Sequence, residues 1–207
     1  MIRTRGLDLA AAAAMAAYVA AVALAGVRNV HADALASSPA GVGRGEIARL
    51  LTSALPVAGP WLSATLILAG SGLLAARAAG PLTAAVAGLL AHVAGTLLPY
   101  AALALVRVHT PHAWQADWDA PDYGVSLVFG AWLALAALRA PNRATGLATA
   151  FFALALARPG LTLTGAEHGC ALAIGAACAR AGFKSGGAFG GLESSSGLLV
   201  GRGNRDH

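Results

Sequence analysis

Two residues of this 207-residue chain sit in settings suited to nucleophilic chemistry: Ser126, in Asp122-Tyr123-Gly124-Val125-Ser126-Leu127, and His168, in Gly165-Ala166-Glu167-His168-Gly169. A serine hydroxyl is a poor nucleophile until a base accepts its proton, and a histidine within hydrogen-bond reach is the commonest such base. Each stretch opens with a polar, glycine-containing entry and continues as an apolar run, over residues 122–139 and 165–180. Both residues are therefore expected about one turn inside the start of a membrane helix. A serine in such a helix often serves only its own backbone or lets a neighbour approach. A histidine there is costlier, and ionisable groups in a span tend to mark paired or functional positions. Glu167 either faces the outer water or steadies the imidazole from a neighbouring turn. His92, in another apolar run, either bonds a neighbouring helix or assists the same chemistry.

The elements that must position these residues are set by composition. Hydrophobic residues make up 57% of the chain and charged residues 11%, with a mean hydropathy of +0.68; soluble domains carry about 25% charged residues. The chain reads as an integral membrane protein. Its 14 Lys and Arg and 9 Asp and Glu lie almost wholly between apolar runs, so the formal charge of +5 describes loops and ends. No basic stripe is available for counterion release, which argues against nucleic acid as a partner. The two cysteines, Cys170 and Cys178, share one apolar run eight residues apart. They are too distant on one helix to pair with each other, which excludes a disulfide framework, and no metal-ligand spacing occurs, so no metal is expected.

Six apolar runs follow one another: 7–27, 61–76, 81–106, 122–139, 144–157 and 165–180. The first exceeds the ~7–15-residue core of a cleaved signal, although a basic start and Ala34-Leu35-Ala36 keep that alternative open. Residues 28–57 form a polar connection in which 46–55 is a short amphipathic piece, lying on the membrane surface or against the bundle. The hydrophilic loop 107–123 holds Trp114 and Trp118, which suit the headgroup level. The expected organisation is an all-α, six-span membrane domain over residues 1–182. A Gly- and Ser-rich tail, 183–207, is expected to be disordered.

Orientation follows from the basic residues. With six spans, Arg3, Arg5, Arg77, Arg139, Arg143, Arg180, Lys184, Arg202 and Arg205 fall on one side; Arg28, Arg44, Arg49, Arg107 and Arg158 fall on the other. The richer side is expected to be cytoplasmic, with both termini. The runs bearing Ser126 and His168 then enter in parallel from outside, and the two residues share a depth. Small residues would let the helices close in: Gly124 and Gly130 on one, and on the other the ladder Gly165, Gly169, Ala173, Ala177 beside the stripe Ala171, Gly175, Cys178.

These residues resemble the rhomboid family of intramembrane serine peptidases. Gly124-Val125-Ser126-Leu127 looks like the Gly-x-Ser-Gly nucleophile element of its fourth span, and Ala166-Glu167-His168-Gly169 with Gly175 like its base-bearing sixth span. Leu51-Thr52-Ser53-Ala54-Leu55 is similar to the segment before its second span, so the likeness covers roughly residues 49–180. More narrowly, Ala91-His92-Val93-Ala94-Gly95-Thr96-Leu97 and Asp122-Tyr123-Gly124-Val125-Ser126 look like the actinobacterial rhomboid-like branch. The resemblance implies a cell-membrane protein with a rhomboid-like six-span fold, cutting helix-destabilised transmembrane proteins near the outer face, without metal or cofactor. Ser126 would be the nucleophile and His168 the base.

Two departures bear on activity. The family's histidine and asparagine on span two, which help hold the oxyanion, have no counterpart in residues 61–76, and Leu127 replaces the glycine after the nucleophile. Losing one oxyanion donor costs about 10²–10³ in rate. His92 and Gly124, with the backbone N–H groups near Ser126, are the candidate substitutes or supports. The alternative is a catalytically inactive pseudopeptidase that binds transmembrane helices. A transporter or channel component is a third class, but no run has the paired charges or broken centre of an ion pathway.

Overall fold

The computed structural model describes residues 2–28, 30, 32–57, 59–112, 114–140, 142–143, 146–147, 149–150 and 162–181. The expected span at 144–157 falls largely outside the described residues, and the tail from 183 wholly so. The architecture is all-helical: α1 Ile2–Val27, α2 Ala32–Leu35, α3 Pro39–Gly43, α4 Ile47–Thr52, α5 Trp61–Ala79, α6 Pro81–His109, α7 Gln115–Asp119, α8 Val125–Arg139 and α9 Leu163–Ala181. Among the described residues three stretches, Arg5–Val27, Trp61–Ala79 and Pro81–His109, are long and apolar enough to cross a membrane. Large apolar side chains such as Leu9, Leu66 and Leu105 point away from the fold along α1, α5 and α6, as they must on a helix whose solvent is lipid.

α8 is the central post, and its sequence explains why. Nearly every side chain from Val125 to Ala136 is buried, so it is apolar on all faces rather than along one stripe. Trp132 is the key residue of this core. Its indole N–H donates to the Ala84 carbonyl at 2.7 Å, and its ring lies where side chains are missing on two neighbouring helices. A Cβ at Gly72 of α5 would come within 2.8 Å of the ring, and one at Gly88 of α6 within 2.9 Å. Tyr18 of α1 meets the same indole edge-on at 6.4 Å between centroids, and its hydroxyl donates to the Ala54 carbonyl at 2.8 Å. One aromatic side chain thus gathers α1, α5 and α6 around α8.

Among the helix ends that differ from the sequence expectation are three in α5, α6 and α8. α5 runs on to Ala79, where Gly80 at φ +90° turns the chain and Pro81 opens α6. α6 continues through Pro99 to His109; at 29 residues it measures about 43 Å. α8 begins at Val125 rather than at Asp122. Its 15 residues reach about 22 Å, short of the ~30 Å hydrocarbon core. The residues before it pack into the bundle, with Gly124 buried against His92, so α8 starts from inside it.

The segment between α1 and α5 closes this entry. α3 is capped by Ser38, whose hydroxyl accepts from the Gly41 N–H at 3.0 Å, with Pro39 in the first turn. α4 has Leu50 buried while Ile47 and Leu51 stay exposed. The amphipathic piece expected here packs against the bundle through that one side.

Candidate active site

The Ser126 hydroxyl lies 2.9 Å from Nε2 of His168, inside the range expected of a nucleophile and its base. Ser126 is the second residue of α8 and His168 the sixth of α9, and both are half-buried. The two helices run parallel. Their beginnings meet at this pair, their middles touch where Gly175 faces Ala131, and near their ends the Arg139 Nε–H donates to the Ala179 carbonyl at 2.6 Å.

The close approach depends on one glycine. A Cβ at Gly175 would run into the Ala131 carbonyl. Ala171 and Cys178 flank it on the buried face, and Ala171 also lies beside Gly95 of α6. The stripe Ala171, Gly175, Cys178 is thus the packing surface. The ladder Gly165, Gly169, Ala173, Ala177 is not: Gly169, Ala173 and Ala177 are exposed, and no described atom lies within 4 Å of a Cβ placed at Gly169.

His92 stands apart from the Ser126–His168 bond. Its Nε2 lies 2.6 Å from the Leu50 carbonyl. A carbonyl only accepts, so Nε2 carries the proton and the neutral ring has no second N–H to offer. Nδ1 is buried without a partner, and the ring covers Gly124, where a Cβ would collide with it. Of the two roles expected for His92 and Gly124, this geometry favours support over oxyanion donation: His92 ties α6 to α4 and closes over the glycine that opens α8. At the start of α8 the Leu127 N–H donates to the Gly124 carbonyl at 3.1 Å, and the Val125 and Ser126 N–H groups ahead of it have no carbonyl a full turn back within the helix.

Glu167 is 2% exposed, which excludes the outward-facing alternative, and its Oε1 has no hydrogen-bond partner. Tyr100, Asp122 and Asp117 are the ionisable groups that act on it electrostatically.

A network missed by sequence reasoning lies just ahead of Ser126. Ser37 and Asp122 form an isolated antiparallel pair, with the Asp122 N–H donating at 2.7 Å and the Ser37 N–H at 3.2 Å. The Tyr100 hydroxyl donates to Asp122 Oδ2 at 3.2 Å and lies 3.1 Å from Ser37 Oγ. The Gly124 N–H donates to the Ser53 carbonyl at 2.8 Å, and the Tyr123 hydroxyl donates to Asp33. Asp122 sits in the loop outside the helices, and burial pushes its carboxyl above the usual carboxylate range although the Tyr100 hydroxyl and the Tyr123 backbone favour its charged form. The only sequence signal was a polar Asp-Tyr pair before the glycine.

Cys170 and Cys178 are free thiols, the second buried. Among the described residues no three His, Cys, Asp or Glu side chains converge as a metal site would require. Comparison with protein-family models, curated proteins and solved structures found no match to this chain.

Proposed function

We propose that this chain is a rhomboid-like intramembrane serine peptidase of the cell membrane, with six spans, both termini in the cytoplasm, and transmembrane proteins as substrates. The observation that carries the reading is the 2.9 Å contact between Ser126 Oγ and His168 Nε2 at the entry of two parallel helices. In the reaction Ser126 Oγ attacks the scissile carbonyl carbon while its proton passes to His168 Nε2. The imidazolium then returns that proton to the leaving amine, and the acyl-enzyme forms. Water, deprotonated by the same nitrogen, hydrolyses the ester and restores the serine. The negative charge on the tetrahedral intermediate would be met by the Val125 and Ser126 N–H groups at the positive end of α8.

The short α8 supports the same reading, because a helix that starts within the bundle lets water and an unwound substrate segment reach a serine below the membrane surface. A helix-destabilised substrate fits for that reason: only an unwound peptide bond exposes its carbonyl to attack.

One observation favours the second reading, a pseudopeptidase that binds transmembrane helices. α5 supplies no His or Asn, and the His92 N–H is engaged by Leu50, so oxyanion support rests on backbone groups alone. Reconstitution in liposomes with a transmembrane substrate carrying a Pro-Gly break distinguishes the two. The peptidase reading predicts slow cleavage that Ser126→Ala and His168→Ala each abolish. Cleavage that survives Ser126→Ala rejects it, and retention of the substrate without cleavage by wild type moves the protein to the second class.

A further inference from the structure

We propose that Asp122 is a positioning residue for Ser126: a clamp of Asp122, Tyr100, Ser37 and Ser53 fixes where α8 begins and so holds the serine against His168. This rests on Ser126 being the reactive group of the site, and deepens that reading by naming what regulates its placement.

The clamp grips four residues from the serine. Asp122 is held on its backbone by Ser37, at 2.7 and 3.2 Å, and on its side chain by Tyr100, at 3.2 Å. Gly124 is held by the Ser53 carbonyl at 2.8 Å. Only Val125 lies between that anchor and Ser126, so a shift of the loop moves the serine with it.

Proton counting gives the network a direction. Each hydroxyl donates once. Ser53 donates to the Leu50 carbonyl at 3.0 Å, the same oxygen that accepts from His92. Tyr100 donates to Asp122 Oδ2, leaving Ser37 to donate to the Tyr100 oxygen at 3.1 Å or the Ser53 oxygen at 3.3 Å. Every hydroxyl is satisfied when the Asp122 oxygen facing Tyr100 acts as an acceptor. A proton on that carboxyl weakens it as an acceptor and sets a second donor beside the Tyr100 hydroxyl, so the contact loosens in acid.

The titratable groups around the clamp are Tyr100 on α6, Glu167 on α9, Asp117 on α7 acting through Glu167, and Tyr123 with Asp33 at the loop edge. Glu167 Oε1 is buried without a hydrogen-bond partner. Burial, with the Glu167 carboxyl coupled to Asp122 from α9, is the setting in which the protonation of Asp122 responds to mild acid.

The test follows the placement of residue 126 without requiring peptidase activity. Full-length protein in native membranes carries Ser126→Cys with Cys170→Ala and Cys178→Ala, and iodoacetamide alkylation is followed from pH 5 to 9, with His168→Ala as baseline. A thiol held against the imidazole is expected to react at pH 6.5 about tenfold faster than baseline. Asp122→Ala and Tyr100→Phe should bring that advantage to within about twofold of baseline. Asp122→Asn still accepts from Tyr100, so it should keep the advantage but lose the fall in rate that acid produces through Asp122. If Asp122→Ala fails to fold, Tyr100→Phe, which removes one hydroxyl, decides. Folded variants that keep the full tenfold advantage and an unchanged pH profile overturn the proposal, as does the absence of any His168-dependent advantage in the parent. A protein that shows the Asp122 dependence but cleaves nothing keeps the clamp and loses the peptidase reading.

Discussion

At Ser126 the difference between a nucleophile and a structural hydroxyl lies in what accepts its proton, and here a ring nitrogen of His168 stands 2.9 Å from the hydroxyl. That pair was legible in the sequence because two apolar runs each carried a potentially reactive side chain about one turn inside a polar entry. The clamp was not legible. Positions 37, 53, 100 and 122 have no common period, and only the fold brings their hydroxyls and carboxyl together. His92 was legible as a buried histidine, but not its partner, since a backbone carbonyl leaves no mark on a sequence. Its role gives a prediction at this scale. His92→Ala should take a hydrogen bond from the Leu50 carbonyl and an aromatic lid from Gly124, lowering stability by roughly 1–3 kcal/mol. Activity should fall only in part, with the loss following the fraction folded. Thermal unfolding in detergent beside the cleavage rate measures both; a variant of full stability with no activity would assign His92 to the chemistry instead.

Between elements, the α8–α9 contact is set by absence of a side chain. Two small-residue stripes on α9 are alike in composition, so the sequence could offer both, and only the position of α8 distinguishes the one through Gly175 from the one through Gly169. Substitution separates them. Gly175→Ala must push α9 away from the Ala131 carbonyl and should cost roughly 1–3 kcal/mol, with loss of the His168 contact. Gly169→Ala meets no described atom and, within a helix, should be neutral or stabilising by up to about 1 kcal/mol. Paired melting curves test this, and equal destabilisation by the two would place the interface elsewhere. The start of α8 was misread for a related reason. Asp122 and Tyr123 read as the polar entry of the run that follows them, but their backbone and side chains bond Ser37, Tyr100 and Asp33, which keeps the helix from starting before Gly124. The helix is shortened by tertiary hydrogen bonds that propensity does not contain.

For the whole molecule, an all-helical fold with apolar outer faces was legible from hydropathy alone, because lipid demands internally satisfied backbone and apolar surfaces. The count of spans depends on the run at 144–157, and the orientation on basic residues in the connections. With the charge bias as computed from the sequence, cysteines introduced after residue 184 should be shielded from membrane-impermeant maleimide in intact cells, and one introduced at Gln115 should be reached. Labelling of the tail from outside would reverse the orientation and put the site on the cytoplasmic side. The central claim, that Ser126 and His168 work as nucleophile and base, is tested most directly by treating native membranes with a serine-directed fluorophosphonate and mapping the adduct by mass spectrometry. The account predicts an adduct on Ser126 in wild type that disappears in His168→Ala; an adduct undiminished in His168→Ala, or none on Ser126 at any pH, would contradict it.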